Sequence, residues 1–63
     1  MIVFDVIFAH ETAKAVLVEY RGAEIWLPKS VTACDWYGRG LEPGDEIEIG
    51  VPVWLAKNSE MIP

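Results

Sequence analysis

This sequence has few of the residues that form disulfides, bind metals or perform catalysis. It contains one cysteine, Cys34, and one histidine, His10, in 63 residues. A single cysteine excludes an internal disulfide and any metal site built from several cysteines. A catalytic triad needs a nucleophile, a base and an orienting acid, and the supply here is too small. We predict no catalytic residue, no metal, no cofactor and no enzymatic activity, with His10 in a solvated turn and Cys34 buried.

Long apolar runs and basic residues are also scarce. No apolar run exceeds four residues, whereas a membrane-spanning helix needs about 20, and no secretory signal pattern opens the chain. We therefore expect a cytoplasmic, reduced protein without a membrane segment. Ten acidic residues against five basic ones give a net charge of −5 and a pI near 4.5. Such a molecule repels phosphate backbones, so nucleic acid is the less favoured partner.

What the sequence does contain is a set of short alternating apolar segments, and apolar residues make up 52% of it. Alternation with β-branched and aromatic residues predicts strands over residues 2–9, 13–20, 23–27 and 46–51. The first is apolar on both faces, which indicates a central strand. Arg21-Gly22 fits a two-residue hairpin turn, and Pro43-Gly44 fits a tight turn that needs positive φ at glycine. Residues 10–12 are expected to form a polar break, residues 30–33 a short strand and residues 35–40 a loop.

The end of the sequence predicts a short helix. Pro52 suits the first position of a helix, and residues 53–57 would form one to two turns, with Trp54 closing one end of the core. Four or five short strands at spacings near ten residues favour a mainly β fold. We predict a single domain, residues 1–63, built as a small SH3-like or OB-like barrel that is partly open. A chain this short buries little surface, so its packing or a partner must supply stability.

The aromatic and acidic residues give the candidate binding site. Phe4 and Phe8 are expected in the core, whereas Trp26 shares its strand face with Glu24 and is expected on the outer surface. No calcium-loop spacing accompanies the acidic residues near position 46. Exposed aromatic residues in a β domain often serve recognition. The predicted partner-binding residues are Trp26, Trp36, Tyr37, Asp45, Glu46 and Glu48.

Several segments carry a resemblance beyond this composition. They are residues 11–18, residues 23–30 with the specific stretch Trp26-Leu27-Pro28-Lys29-Ser30, and the tail with Gly44-Asp45-Glu46-Ile47-Glu48-Ile49 and Pro52-Val53-Trp54-Leu55-Ala56. In these segments the chain resembles a group of short, mostly uncharacterised proteins encoded by phages and plasmids. The resemblance implies a mobile-element origin and transfers no activity, cofactor or binding residue. Residues 36–40 depart from the pattern and could form a partner-specific part.

These observations favour a protein-binding module from a mobile element, with an expected role as an acidic inhibitor of a restriction or CRISPR complex. One alternative is a module for single-stranded nucleic acid, in which aromatic rings stack on bases and four cations contact phosphates. Those cations would be Lys14, Arg21, Lys29 and Arg39. Another alternative is a homo-oligomer held by apolar surface.

Overall fold

Four antiparallel strands form one sheet in the computed structural model, which describes residues 1–63. The strands are β1 (Ile2–Glu11), β2 (Ala15–Tyr20), β3 (Ala23–Pro28) and β4 (Glu46–Val51), followed by one helix, α1 (Val53–Asn58). The sheet order is β3-β2-β1-β4, so β1 is central as predicted. The mainly β fold is confirmed, and the sheet is open because β3 and β4 lie at its two edges.

Both predicted tight turns are present. Arg21 and Gly22 have φ values of 52° and 82°, and positive φ at both central residues is what a type I′ hairpin turn requires. Gly44 has a φ of 100°, which a side chain would resist, and β4 begins two residues later. The main-chain N–H of Gly44 donates to Phe8 O over 2.8 Å, which joins this turn to β1. Local turn chemistry therefore sets where β2 ends and β4 begins.

The inner face of the sheet carries the hydrophobic core. Cross-strand partners such as Phe4 with Ile49 and Val16 with Leu27 place their side chains on the same side. All four are buried, and Phe4 and Phe8 lie in the core as predicted. The core is made of apolar residues from the sheet, the following loop and the C-terminal segment: Phe4, Val6, Phe8, Val16, Val18, Leu27, Trp36, Ile49, Val51, Leu55, Ala56 and Met61.

The predicted polar break at residues 10–12 is wrong in part, because β1 continues to Glu11. A bulge lies between Phe8 and His10, where the register shifts and Ala9 is the extra residue. An extra residue reverses which face the following side chains occupy. His10 consequently lies opposite Leu17 on the outer face instead of a solvated turn, while Glu11 pairs with Val16 on the inner side.

The segment between β3 and β4 also differs from the prediction of a short strand at residues 30–33. Residues Lys29–Val31 form a 3₁₀ turn, and only Ala33 pairs with the sheet, through a single bridge to Gly50 on β4. Pro28 lacks an N–H and so ends β3. The remaining residues to 45 form a loop, as predicted for residues 35–40, and this loop lies against the core.

The helix α1 is present, but the prediction that Trp54 closes the core is wrong. Trp54 is 55% exposed, whereas Leu55 and Ala56 are buried. Successive helical residues are rotated by about 100°, so a helix that buries Leu55 and Ala56 turns Trp54 away from the core. The helix has six residues, and no helix of the protein is long and apolar enough to cross a membrane.

Candidate binding face

The outer face of the sheet is the side opposite the core, and it remains uncovered by any other element. Strand register assigns its members, because directly paired residues share a face. Register also places Ala15, Pro28 and Gly50 on this side. Of the ten residues named next, all but the half-buried Ile7 and Leu17 are exposed. The members that we call the outer face are Val3, Asp5, Ile7, His10, Leu17, Glu19, Glu24, Trp26, Glu46 and Glu48.

The outer face carries charge of one sign only. Five of the ten acidic residues of the chain lie on it, and no Lys or Arg lies in any strand. The other five acidic residues are equal in number to the five basic residues. The formal net charge of −5 therefore equals the charge of this one face. Its five carboxylates belong to Asp5, Glu19, Glu24, Glu46 and Glu48.

The register places these carboxylates next to one another. Glu19 lies directly opposite Glu24, and Asp5 lies directly opposite Glu48. Ile7 stands between Glu19 and Glu46 in the row that crosses three strands. Side chains directly opposite each other have Cβ atoms about 4.5–5.5 Å apart, and like charges in such positions repel. A partner that brings positive charge to this face would relieve that repulsion.

A row of two aromatic rings and one leucine borders the acidic residues. His10, Leu17 and Trp26 lie side by side across β1, β2 and β3 because the bulge in β1 aligns His10 with Leu17. The rings of His10 and Trp26 meet edge to face at 6.3 Å. Trp26 is 52% exposed, which confirms its predicted surface position, and Val3 is 64% exposed. The outer face thus combines carboxylates with an aromatic ring available for contact.

Trp36 lies in the core, so the surface position expected for this residue is wrong. It is 7% exposed and meets Phe8 edge to face at 5.7 Å. Its indole N–H donates to the main-chain oxygen of Glu48 over 2.7 Å. A buried indole needs such an acceptor, and the edge of β4 provides it. A residue placed in this way cannot contact a partner while the domain is folded.

Tyr37 is half-buried and belongs to the loop rather than to the outer face. Its ring packs on Trp36 at 4.9 Å, and its hydroxyl is hydrogen-bonded to Thr32 Oγ1. Thr32 uses its one hydroxyl hydrogen to donate to Pro28 O over 2.8 Å, so the Tyr37 hydroxyl is the donor to Thr32. Burial raises the pKa of Tyr37 above its usual value. Tyr37 therefore acts here as a neutral donor that holds the loop.

The three acidic residues predicted to bind a partner also divide between the outer face and the loop. Glu46 and Glu48 are exposed on the outer face. Asp45 is not on that face, because its carboxylate accepts the main-chain N–H of Glu42 over 2.9 Å within the turn before β4. Of the six predicted binding residues, Trp26, Glu46 and Glu48 share the outer face, with Trp26 on the edge strand β3 and the two glutamates on the opposite edge strand β4.

An ion pair that no sequence pattern indicates anchors the loop. Lys29 Nζ lies 2.5 Å from Glu11 Oε2, and the same carboxylate oxygen accepts the N–H of Gly38 over 2.9 Å. The hydrogen bond from Lys29 lowers the pKa of the Glu11 carboxyl, and the Gly38 N–H adds to this effect against partial burial. No local signal links residues that are 18 or more positions apart, so only the fold could show this contact.

The remaining side chains that could bind a metal ion, react or contact phosphates lie apart from one another. No group of three or more His, Cys, Asp or Glu side chains is placed to hold a metal ion, and Cys34 is half-buried. The cations of the nucleic-acid alternative do not lie on the outer face: Lys14, Arg21 and Arg39 lie in connections, and Lys29 is paired with Glu11. A single-stranded nucleic acid would meet five carboxylates and no Lys or Arg on this face.

The comparisons with known proteins add no family to this description. The chain matches no family model, no curated protein and no solved structure.

Proposed function

We propose that this chain is a non-enzymatic protein-binding module whose outer face contacts a positively charged surface of its partner. The proposed partner class is a nucleic-acid-processing or defence complex, such as a restriction or CRISPR effector, which the chain would inhibit. A mobile-element origin is part of the proposal and rests on the phage and plasmid resemblance of residues 23–30 and of the tail. The cytoplasmic location remains a prediction from the sequence.

The observation that carries this proposal is the concentration of the whole formal net charge on one uncovered sheet face beside an exposed tryptophan. Surface charges that only keep a protein soluble are normally mixed in sign across the surface. Here the signs are separated. Electrostatic complementarity of this kind steers association and selects partners, and exposed tryptophan is a frequent centre of binding energy at interfaces.

A basic nucleic-acid groove is the protein surface that fits this face best. Such a groove carries Lys and Arg placed to neutralise successive phosphates. The five carboxylates of the outer face present negative charge to these cations, as the phosphates of a nucleic acid would. Occupation of the groove would block the natural ligand, which makes inhibition the expected consequence. The acidic face itself disfavours the alternative in which this chain binds single-stranded nucleic acid.

The test compares two charge-matched variants in a pull-down from nuclease-treated lysate of a bacterial host. The double variant Glu46→Lys and Glu48→Lys reverses charge on the outer face, and Glu42→Lys with Glu60→Lys makes the same change in net charge at exposed positions outside it. We expect a partner to be retained by the wild type and the control, to be lost by the outer-face variant, and to be displaced by duplex DNA that is added after the nuclease has been washed away.

Equal recovery by the outer-face variant would remove Glu46 and Glu48 from the contact. Recovery that requires intact nucleic acid, together with quenching of tryptophan fluorescence by an oligonucleotide at low salt, would favour the nucleic-acid alternative instead.

A further inference from the structure

The two edges of the sheet differ in how their main-chain groups are used. At β4 the neighbouring loop covers the edge. Ala33 N donates to Gly50 O over 2.9 Å, Gly50 N donates to Ala33 O over 2.7 Å, and the Trp36 indole occupies the Glu48 carbonyl. At β3 no element lies beside the strand. Exposed edges with free N–H and C=O groups are templates for another strand.

The hairpin turn identifies which groups of β3 are free. A two-residue turn places Tyr20 and Ala23 in a hydrogen-bonded pair, and hydrogen-bonded pairs alternate along an antiparallel ladder. Ile25 and Leu27 therefore bond to β2, while the main-chain groups of Glu24 and Trp26 point away from it. Neither residue forms a main-chain hydrogen bond outside the ladder. The free edge consequently offers two N–H donors and two carbonyl acceptors.

Both ends of this free edge are closed. The turn at Arg21 and Gly22 ends it on one side. On the other side Pro28 has no N–H, and its carbonyl accepts the Thr32 hydroxyl over 2.8 Å. The segment available for pairing is therefore Glu24 to Trp26, which is long enough for a short extended peptide and too short for extensive strand addition.

We propose that an extended, basic segment of the partner protein adds to β3 as a fifth strand; this inference rests on the proposed function and names the form of the partner at the outer face. Peptide addition to a sheet edge takes affinity from main-chain bonds and specificity from alternate side chains. Partner residues opposite Glu24 and Trp26 would share the outer face, and the residue opposite Ile25 would lie at the inner rim.

The chemistry of these positions defines the preferred segment. A cation opposite Glu24 meets its carboxylate and that of Glu19, which lies across the hairpin. A cation opposite Trp26 meets an exposed indole, the strongest aromatic partner for Lys or Arg. Ile25 is half-buried and favours an apolar neighbour. The recognised pattern is therefore a cationic residue, an apolar residue and a second cationic residue in extended conformation.

A second copy of this chain would pair on β3 less well. Pairing of two copies through β3 would join two outer faces into one continuous surface and bring the Glu19 and Glu24 carboxylates of both copies close together, with no Lys or Arg in any strand. Charge complementarity therefore favours a basic segment over self-association.

The experiment follows the N–H groups of Glu24 and Trp26 by hydrogen exchange and NMR in the wild-type protein. The probe is the peptide acetyl-Thr-Lys-Val-Lys-Val-Lys-Thr-amide, and the matched control peptide has N-methyl groups on the alternate amides that would pair with β3. We expect the unmodified peptide to slow exchange at both N–H groups by about tenfold or more, because exchange requires opening of the new bonds. N-methylation should weaken binding by about tenfold or more, while the charge is unchanged.

Three results would overturn the proposal. The first is peptide binding without slowed exchange at Glu24 and Trp26, or with equal affinity for both peptides, which would indicate contact through charge alone and leave the proposed function intact. The second is absence of binding at millimolar peptide. The third is slowed exchange without peptide in a protein that sediments as a dimer, which would identify a second copy as the occupant. Failure of the proposed function is separate, since its variants lie on β4.

Discussion

The two edge strands of this sheet differ in the exposure of a nearby tryptophan and in whether their main-chain edge is covered. Beside β4, Trp36 is buried, fills the core and donates its N–H to the strand. On β3, Trp26 lies on the outer face with half of its surface exposed, and the strand beside it is uncovered. Few residues of a 63-residue chain are available to cover both edges of its sheet. The loop covers one edge, which leaves the other available for binding.

The covering loop is therefore a structural part of the core, whereas the exposed Trp26 and the five carboxylates lie on the opposite side of the sheet. The loop depends on Trp36, on the Glu11 and Lys29 ion pair and on the Tyr37 hydrogen bond. The outer face has the ring contact of His10 with Trp26, but its carboxylates form no ion pair and lie opposite one another as like charges. Changes at the covered edge should therefore cost stability, and changes at the open edge should cost mainly binding.

The largest expected effect is the loss of the buried ring. Trp36→Ala should lower the free energy of unfolding by about 3–5 kcal/mol, the range for removing a large buried aromatic side chain. A domain of this length has about 3–9 kcal/mol in total, so the variant should be close to unfolded. Trp26→Ala is the matched control and should cost about 1 kcal/mol or less, through its cross-strand contact with Leu17. Urea denaturation measures both, and similar costs for the two would contradict the comparison.

The next effect isolates the hydrogen bond that covers β4. Trp36→Phe keeps an aromatic ring in the core and removes the indole N–H that the Glu48 carbonyl accepts. We expect the free energy of unfolding to fall by about 1 kcal/mol or somewhat more. The Glu48 carbonyl loses its hydrogen-bond donor, and the smaller ring fills slightly less of the core. Denaturation of the variant gives the value. A variant as stable as the wild type would mean that water replaces the indole at this edge.

A smaller effect concerns pH and the anchor of the covering loop. The pKa of Glu11 is lowered in the folded state. The stabilisation that the ionised Glu11 carboxylate gives to the fold is therefore fully present above the unfolded pKa, near 4.5, and is lost as pH falls through the folded pKa. Stability should therefore decline over that acidic interval, by less than about 1 kcal/mol, as for other accessible ion pairs. Glu11→Gln should remove this part of the pH dependence. An unchanged acid profile in the variant would show that other carboxyls account for it.

The smallest effect lies on the open side and has the opposite sign. Glu24→Gln removes one of two like charges that face each other across the β2 and β3 hairpin, so it should raise stability by a few tenths of a kcal/mol at low salt. Added salt should abolish the gain through screening. Denaturation at two ionic strengths tests this, with Glu60→Gln as a control outside the face. A loss of stability would indicate that Glu24 makes a favourable contact in the folded protein.

Much of the fold could be predicted from local patterns. Alternation identified the four strands, and positive φ requirements at Gly22 and Gly44 located two turns. These signals act over a few residues, so they need no knowledge of the fold. The end of β1 was missed because a bulge is a property of pairing between strands, and residues 8–11 carry no mark of it.

The candidate site was predicted less completely. Trp26 was placed correctly because its strand neighbours show its face. Trp36 and Trp54 were not, because a tryptophan in a loop or a short helix is buried only if another element provides space and an acceptor. The acidic face was also missed as a group, since Asp5, Glu19 and Glu24 join Glu46 and Glu48 only through register.

Composition and local pattern are enough to establish the class of this protein: a small acidic β domain with defined strands and turns. Those properties follow from composition and from interactions over a few residues. The contacts between strands decide which tryptophan is buried and which edge is covered. They also place five carboxylates, equal in charge to the whole chain, on a single face. The reason is physical, since burial and charge clustering depend on which strands become neighbours and in what register, and these contacts join residues far apart in the chain.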